Sequence, residues 1–516
     1  MIEPLYTLPA SWQWAGLTEI ALELESGGRP KGGVRGITSG VPSIGGEHLS
    51  ADGGFDFSSI RFVPQSFSDS MHKGRVQKGD ILIVKDGATT GKTSFVGDNF
   101  PYPTAVLDEH VFRLRVHSDA ALQRYVFYFL RGPIGQGMIE DSFRGSAQGG
   151  INQRFAEFVH VPLAPIPEQR RILEKVEPAL RTVVSTRNAF ANIPTLLKKL
   201  RQSVLTKAFR GELTEPHPDD EPAEMILRRI EQKKGSSETN RLGKHSRNYR
   251  NEKPRFSVLR DELSGVPSGW TWTTLGNLAE VRGGVTKGRK FGGKRTVKVP
   301  YLRVANVQSG YLDLDIVKEI DVLPEEVAEY QLRLGDILFT EGGDRDKLGR
   351  GAVWHEEVPV CIHQNHIFRA RLRTTDVLPE YISFMSQSLF GRDYFSAVAS
   401  QTVNLASINI TNLRSFPIPL APSQEQFRVV GKIEQILGFG LQIEKSVKGV
   451  LNNIETFERS FLTRAFQGKI VPQDPKDEPV SVTLERIRKQ LAAMGNKAVR
   501  RNLEEFASPA TIIPEA

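Results

Sequence analysis

The chain is written twice. LPASWQW at 8–14 returns as VPSGWTW at 266–272, KGDILIVKDG at 78–87 as LGDILFTEGG at 334–343, and LAPIPEQRRI at 163–172 as LAPSQEQFRV at 420–429. LTKAFRGEL at 205–213 returns as LTRAFQGKI at 462–470, and EPAEMILRRI at 221–230 as EPVSVTLERI at 478–487. The offset stays between 256 and 258 residues throughout. Five blocks in one order at one offset mean that any fold must hold two similar bodies.

Within each copy the pattern changes once. Short β-type runs (DILIV, HVFRLRV, DILFT, HIFRARL) are punctuated by Gly and Pro, which predicts a compact α+β domain. A helix of roughly 40 residues, about 60 Å long, follows. In the first copy Leu173, Val176, Leu180, Val183, Phe190, Leu197, Val204 and Ala208 form an apolar stripe, with a kink expected at Pro194. Phe427, Val430, Ile433, Leu437, Leu441, Val447, Leu451, Ile454, Phe461 and Ala465 repeat the stripe, and Gly211 and Gly468 sit where left-handed caps would end the helices. A small domain cannot cover so long a stripe, so each helix needs another, and its own duplicate is the obvious partner. Two bundles packing independently are the alternative. The expected organisation is domains at 1–165 and 266–422, helical regions at 166–232 and 423–492, a basic linker at 233–265 and a tail at 493–516.

The single cysteine, Cys361, allows no intrachain disulfide and suits a reducing cytoplasm. No apolar run approaches the ~20 residues of a membrane-spanning helix, and MIEPLYTLPASW has no signal-peptide pattern. A formal net charge of +8 leans toward a polyanionic partner.

The enzyme readings fail on their motifs. GATTGKT at 87–93 encloses three residues between its glycines where a P-loop has four, and a strand follows it where a P-loop opens a helix. Its counterpart EGGDRDKLGR lacks GK[ST] altogether. Pro218-Asp219 with Glu231 and Lys233 formally resembles a nuclease metal site, yet Asp219 lies in a turn, Glu231 lies on a charged helix, and the second copy reads ERIRK there. No [DN]-P-P-[YF] methyltransferase motif occurs. His110 and His366 hold equivalent places, with too few neighbouring ligands for a metal.

The positive signal is suited to nucleic acid. Arg282, Lys287, Arg289, Lys290, Lys294, Arg295 and Lys298 lie in one glycine-spaced stretch without an acidic residue, and Arg29, Lys31 and Arg35 lie at the equivalent place in the first copy. Lys85, Asp86, Thr89, Thr90 and Lys92 decorate one hairpin tip; Glu341, Asp344, Arg345, Asp346, Lys347 and Arg350 decorate the other. Gln148, Asn152 and Gln153, with Gln401, Asn404, Ser407 and Asn409, are amide and hydroxyl candidates for base edges, although each type also serves turns and caps.

These motifs together resemble the DNA-specificity subunits of Type I restriction-modification enzymes: P-x-x-W-x-W opening each half, G-D-I-L before a glycine loop, L-A-P-x-x-E-Q at each helix start, and L-T-x-A-F-x-G at each helix exit. The resemblance covers nearly the whole chain. It implies an α+β fold with two similar target-recognition domains separated by two long antiparallel coiled-coil helices about an internal pseudo-two-fold. Each domain would read half of a bipartite, asymmetric site in double-stranded DNA. The helices would set the unread gap and dock two adenine-N6 methyltransferase subunits, to which two ATP-dependent restriction/translocation subunits add. The chain itself would be non-catalytic and cofactor-free, with S-adenosylmethionine, ATP and Mg²⁺ belonging to the partners. Leu173, Val176, Leu180, Leu197, Val430, Leu437, Leu451 and Ile454 are expected in the helix-pair core, and Phe209 and Phe466 in packing or partner contact. Pro178 and Pro194 have no counterpart in the second helix, so the two docking faces are expected to differ.

Overall fold

The computed structural model describes residues 6–143, 150–237, 265–343, 348–401 and 406–493. Its contacts form two units, and the division does not follow the repeat. One unit is 1–191 with 447–516; the other is 192–446. Each unit therefore joins the globular part of one copy to the helix exit of the other.

In the first unit a four-stranded antiparallel sheet has the order Ala21–Ser26, Val111–Val116, Ile81–Val84, Thr93–Phe95. The second unit repeats it as Ala279–Gly283, Ile367–Leu372, Ile337–Thr340, Gly351–Val353. The ILIV and ILFT strands are central and buried on both faces, which explains their unbroken apolar runs. A three-stranded sheet (Arg61–Val63, Val41–Ile44, Val106–Leu107) recurs as Lys318–Val322, Val297–Leu302, Ile362–His363, with one antiparallel and one parallel pairing each. Gln13–Gly16 with His160–Leu163, and Thr271–Thr274 with Pro417–Leu420, close the two bodies.

The repeated sequence blocks have identifiable tasks. In G-D-I-L the aspartate is buried: Asp80 accepts from the Gln77 amide at 2.6 Å and from Arg115 Nε at 2.5 Å, and Asp336 accepts from the Arg333 amide and Arg371 Nε, both at 2.7 Å. One side chain thus closes the turn before the strand and ties it to the neighbouring strand. In L-A-P-x-x-E-Q the glutamine staples the helix start to the domain: Gln169 accepts from the Leu122 amide and donates to the Ala164 and Ala120 carbonyls. Gln426 does the same with Leu378, Ala421 and Asp376. The glutamate side chain is buried beside it, and Glu425 accepts from the Trp270 indole at 2.8 Å.

The principal helices are α1 (Ile166–Ala191), α2 (Ile193–Phe209), α3 (Ala223–Ser237), α4 (Leu389–Val398), α5 (Ser423–Phe466) and α6 (Val480–Ala493). The expected kinked helix of the first copy is two helices: the break falls at Asn192, and Pro194 occupies the first turn of α2, where its missing N–H costs no hydrogen bond. Pro178 lies inside α1 without ending it. Its counterpart α5 is one continuous helix of 44 residues.

Chain order along the paired segments runs in opposite directions within each unit. In the first, Glu168 meets Gln473, Arg171 meets Asp477 and Arg187 meets Glu458. In the second, Leu197 lies against Gly440, Thr214 meets Glu425 and Asp220 meets Arg428. Each exit is then locked into the domain of the other copy. Phe466 packs edge-on against Tyr125 and Phe129, and Phe209 against Tyr381. Gly468 and Gly211 have φ of 71° and 72°, and a β-carbon on them would lie 2.5 Å from Pro9 Cγ and 2.1 Å from Pro267 Cγ. The glycine of L-T-x-A-F-x-G and the proline of P-x-x-W-x-W are therefore two sides of one contact.

The stripe is buried unevenly. Val176, Leu180, Val183, Val204, Ala208, Val430, Ile433 and Ala465 are buried, whereas Leu173, Phe190, Leu197, Leu437, Val447, Leu451, Ile454 and Phe461 are half-buried. Phe427 and Leu441, expected in the stripe, are 53% and 68% exposed. Val429, outside the expected stripe, is instead buried in the core of the second unit. No described helix is long and apolar enough to cross a membrane.

Candidate nucleic-acid interface

In each unit three chain segments carry the polar candidates. The first is the glycine-rich basic loop. Its base is held tightly: a β-carbon on Gly27 would lie 1.8 Å from the Leu107 carbonyl oxygen, and one on Gly284 would lie 1.9 Å from that of His363. These two glycines serve the chain's own packing, not the phosphate approach expected of them. Beyond the base the loop opens: Gly32, Gly33 and Gly36, and Gly288, Gly292 and Gly293, all have positive φ. Lys31 and Arg35, and Lys287, Lys290, Lys294, Arg295 and Lys298, are exposed. Arg29 reaches Glu109 at 3.5 Å, and Arg282 pairs with Glu280 and Glu329. Arg289 is committed more firmly. Its guanidinium grips both oxygens of Glu326 (2.5 and 3.0 Å) and lies over Phe291, and the pairing holds the Glu326 carboxyl below its ordinary range.

The second segment is the hairpin tip. Ile81–Val84 and Thr93–Phe95 pair antiparallel across GATTGKT, so the stretch turns between two strands and no helix follows it. Its two lysines turn inward. Lys85 Nζ donates to the Glu109 carbonyl at 3.2 Å, and Lys92 Nζ to the Leu49 carbonyl at 2.8 Å. Thr90 Oγ1 donates to the Gly87 carbonyl at 2.7 Å, leaving Thr89 exposed at the tip. The charges of Lys85 and Lys92 anchor the loop because buried carbonyls around it need donors. In the second copy Arg350 Nη1 donates to Gln308 at 2.9 Å. Arg345, Lys347, Asp344 and Asp346 lie outside the described residues.

The third segment precedes the last strand. Asn152 is exposed but accepts from the Arg154 amide, and Gln153 donates to the Leu24 carbonyl at 3.1 Å, turning toward the sheet. Asn409 caps a short helix by accepting from the Asn412 amide. Ser407 is exposed on the strand Ala406–Ser407, which pairs with Gly342–Gly343 and with Ser400–Gln401. Gln148 and Asn404, and the side chain of Gln401, lie outside the described residues. Gln153 and Asn409 are thus fold residues, since amides in turns satisfy backbone groups first.

A duplicated pair escaped the reading of the sequence. His110 Nδ1 lies 2.6 Å from Asp86 and His366 Nδ1 lies 2.5 Å from Glu341, each histidine at the start of a sheet strand and each acid at the end of the G-D-I-L strand. Both rings are half-exposed and oriented by a carboxylate. The acids are one register apart in the repeat, Asp86 aligning with Gly342 and Glu341 with Lys85, so only the histidines were legible as equivalent. Beneath the first pair, burial pushes the Asp108 carboxyl up to about 6 while it accepts from the His110 amide at 2.8 Å. The thiol of Cys361 is buried and pushed up to about 12, which removes it from nucleophilic chemistry.

Comparison with known proteins agrees with this layout. No family model matches the chain. The Type I restriction enzyme EcoKI specificity subunit of Escherichia coli K12 is 25% identical over 469 residues, covering 87% of this chain and 89% of that protein. The EcoBI specificity subunit of Escherichia coli is 25% identical over 487 residues, covering 91% and 93%. Among solved structures, a chain from a study of complex assembly and conformational transition in the type I R-M system aligns over 90% of this chain and all of its own length with a TM-score of 0.62 at 17% identity. The HsdS subunit from Thermoanaerobacter tengcongensis aligns over 91% of this chain and all of its own with a TM-score of 0.50 at 18% identity. With its motifs in order in both halves, the chain is similar over nearly all of its length to the DNA-specificity subunits of Type I restriction-modification enzymes.

Proposed function

We propose that each globular domain, 1–165 and 266–422, reads one half of a bipartite, asymmetric DNA sequence, and that the long helices serve as a coiled-coil spacer fixing the unread gap. The same helices dock two adenine-N6 methyltransferase subunits, to which two ATP-dependent restriction/translocation subunits add in the cytoplasm. S-adenosylmethionine, ATP and Mg²⁺ act on those partners, and this chain contributes recognition. The observation that carries the reading is one strand framework, repeated, bearing different side chains on equivalent loops. A common frame presents equivalent surfaces to duplex DNA, and differing tips give differing half-sites. Exposed cations such as Lys287 suit phosphates, which position without specifying sequence, and the exposed hydroxyls of Thr89 and Ser407 suit base edges.

The test is exchange of residues 266–422 for the corresponding domain of a relative, followed by sequencing of methylated adenines in cells carrying the methyltransferase subunit. One half-site should change while the other and the gap persist. A change in both halves, or in neither, would falsify the assignment. Lys287→Ala should weaken binding to all duplexes alike, whereas Ser407→Ala should relax preference at one position only.

A further inference from the structure

Within the second unit, α2 and α4 border a groove of about 680 Å³, far more than the roughly 30 Å³ of one water. A length of chain fits it; a single ion does not fill it. Lys198, Lys199, Lys207, Arg210 and Arg392 line it against one carboxylate, Glu212, and among the described residues none of the five cations forms a salt bridge. On its wall the carboxamide oxygen and nitrogen of Gln202 and the hydroxyl of Thr206 are shielded and without hydrogen-bond partners, although buried polar groups are rarely left so.

The groove is not duplicated. At the repeat offset the five cations become Glu455, Thr456, Arg464, Gln467 and Gln136, a single cation with a single carboxylate. The rim changes sign as well. In the first unit Arg131 of the domain pairs with Glu458 of α5; in the second Gln387 of the domain meets Arg201 of α2. Whatever occupies the groove is therefore held once per chain, unlike a partner bound equivalently by both copies.

A hydrogen-bond chain through buried Gln387 ties the α2 helix of the groove to the candidate interface of its own unit. Arg201 binds Gln387, Gln387 accepts from Ser309 at 3.5 Å, and the adjoining Gln308 holds Arg350 of the hairpin tip. The five cations with the amide of Gln202 and the hydroxyl of Thr206 on the wall fit a phosphodiester backbone. We propose that this groove grips the DNA backbone beside the second half-site, anchoring one side of the unread gap through phosphates alone. The proposal rests on the reading of this chain as a DNA-specificity subunit.

The experiment uses the full chain in complex with its methyltransferase subunits and a duplex carrying its methylated site. Affinity is measured against salt for the wild type, for Lys198→Gln/Lys199→Gln/Arg392→Gln, and for Arg464→Gln as the control on the counterpart face. The triple variant should lower affinity at least tenfold at fixed salt, flatten the slope of log K against log salt by about 2–3, at ~0.9 per phosphate released, and leave the methylated sequence unchanged. Gln202→Glu, which sets a carboxylate in the wall, should reproduce the loss, and Arg464→Gln should match the wild type. A wild-type slope in the triple variant and unchanged affinity in Gln202→Glu overturn the proposal while the DNA-binding reading stands. Loss of the methyltransferase subunits with DNA affinity retained by the chain overturns it in favour of an acidic protein surface. Failure of the wild-type complex to bind duplex overturns both readings.

Discussion

His363 and Leu107 occupy the same strand position in the two copies, each at the end of a parallel pairing, with Leu302 and Ile44 respectively. His363 is fully buried, donates through Nδ1 to the Ile367 carbonyl in its neutral form, and is driven down to about 4 by burial and then by the Arg369 charge. An unfolded chain takes up this proton near 6.5, while the folded one resists until about 4. The second unit thus has its full stability above pH ~6.5 and loses it progressively as pH falls toward 4. His363→Leu, which imports the residue of the first copy, should remove that loss. Hydrogen exchange resolved by unit measures it, and an unchanged acid dependence in the variant would count against the assignment. Gly211 and Gly468 make a second prediction at this scale. Alanine at either adds about 1–3 kcal/mol of left-handed backbone strain, and a clash with Pro267 or Pro9 adds to it. Thermal unfolding should report a loss of at least 1 kcal/mol for each, confined to the unit that holds the proline.

Among the helices, equivalent positions have diverged in ways that local periodicity does not reveal. The first copy breaks at Asn192 into α1 and α2, and α5 runs on without interruption. The reason is Pro194: it has no N–H to offer the carbonyl four residues back and its ring excludes that carbonyl, so the hydrogen-bond ladder is interrupted here. The ion pairs diverge too. Glu458 is 9% exposed and serves Arg131 and Arg187 together. Glu458→Ala leaves two cations without their carboxylate, one of them buried, and should cost the first unit about 3 kcal/mol. Denaturant unfolding followed through the first unit's Trp12 and Trp14 would register it, and a change below about 0.5 kcal/mol would place this pair with ordinary surface bridges.

For the molecule as a whole, the consequence is that sequence neighbours are not always structural partners. Val471, Val480, Leu484 and Ile487, near the end of the described chain, belong to the core that contains Trp12 and Tyr125. Val204, Leu205, Phe209 and Ile226, from the middle of the chain, belong to the core that contains Trp270 and Tyr381. Removing residues 467–516 should therefore loosen the strands of 13–163 and spare those of 271–420. Hydrogen exchange across both sets decides this, and protection lost first from 271–420 would contradict the core assignments. The same arrangement constrains domain exchange: a graft over 266–422 must keep an aromatic at Tyr381 to receive Phe209 and the backbone groups of Asp376, Leu378 and Ala421 that Gln426 of the helix start bonds.

The sequence alone determined the duplication, the α+β content, the central strands and the helix starts and exits, because each is written in local spacing: a period, a cap, an apolar run of strand length. It also ruled on GATTGKT, where loop length and the strand that follows sufficed. The tertiary structure decided which copy receives each exit and which cations stay free. Lys85, Lys92, Arg289 and Gln153 look like ligand-binding residues in one dimension, yet their partners are Glu109, Leu49, Glu326 and Leu24, set beside them only by long-range closure. A polar side chain satisfies the nearest unmet backbone or carboxylate group, and which group is nearest depends on how distant segments meet.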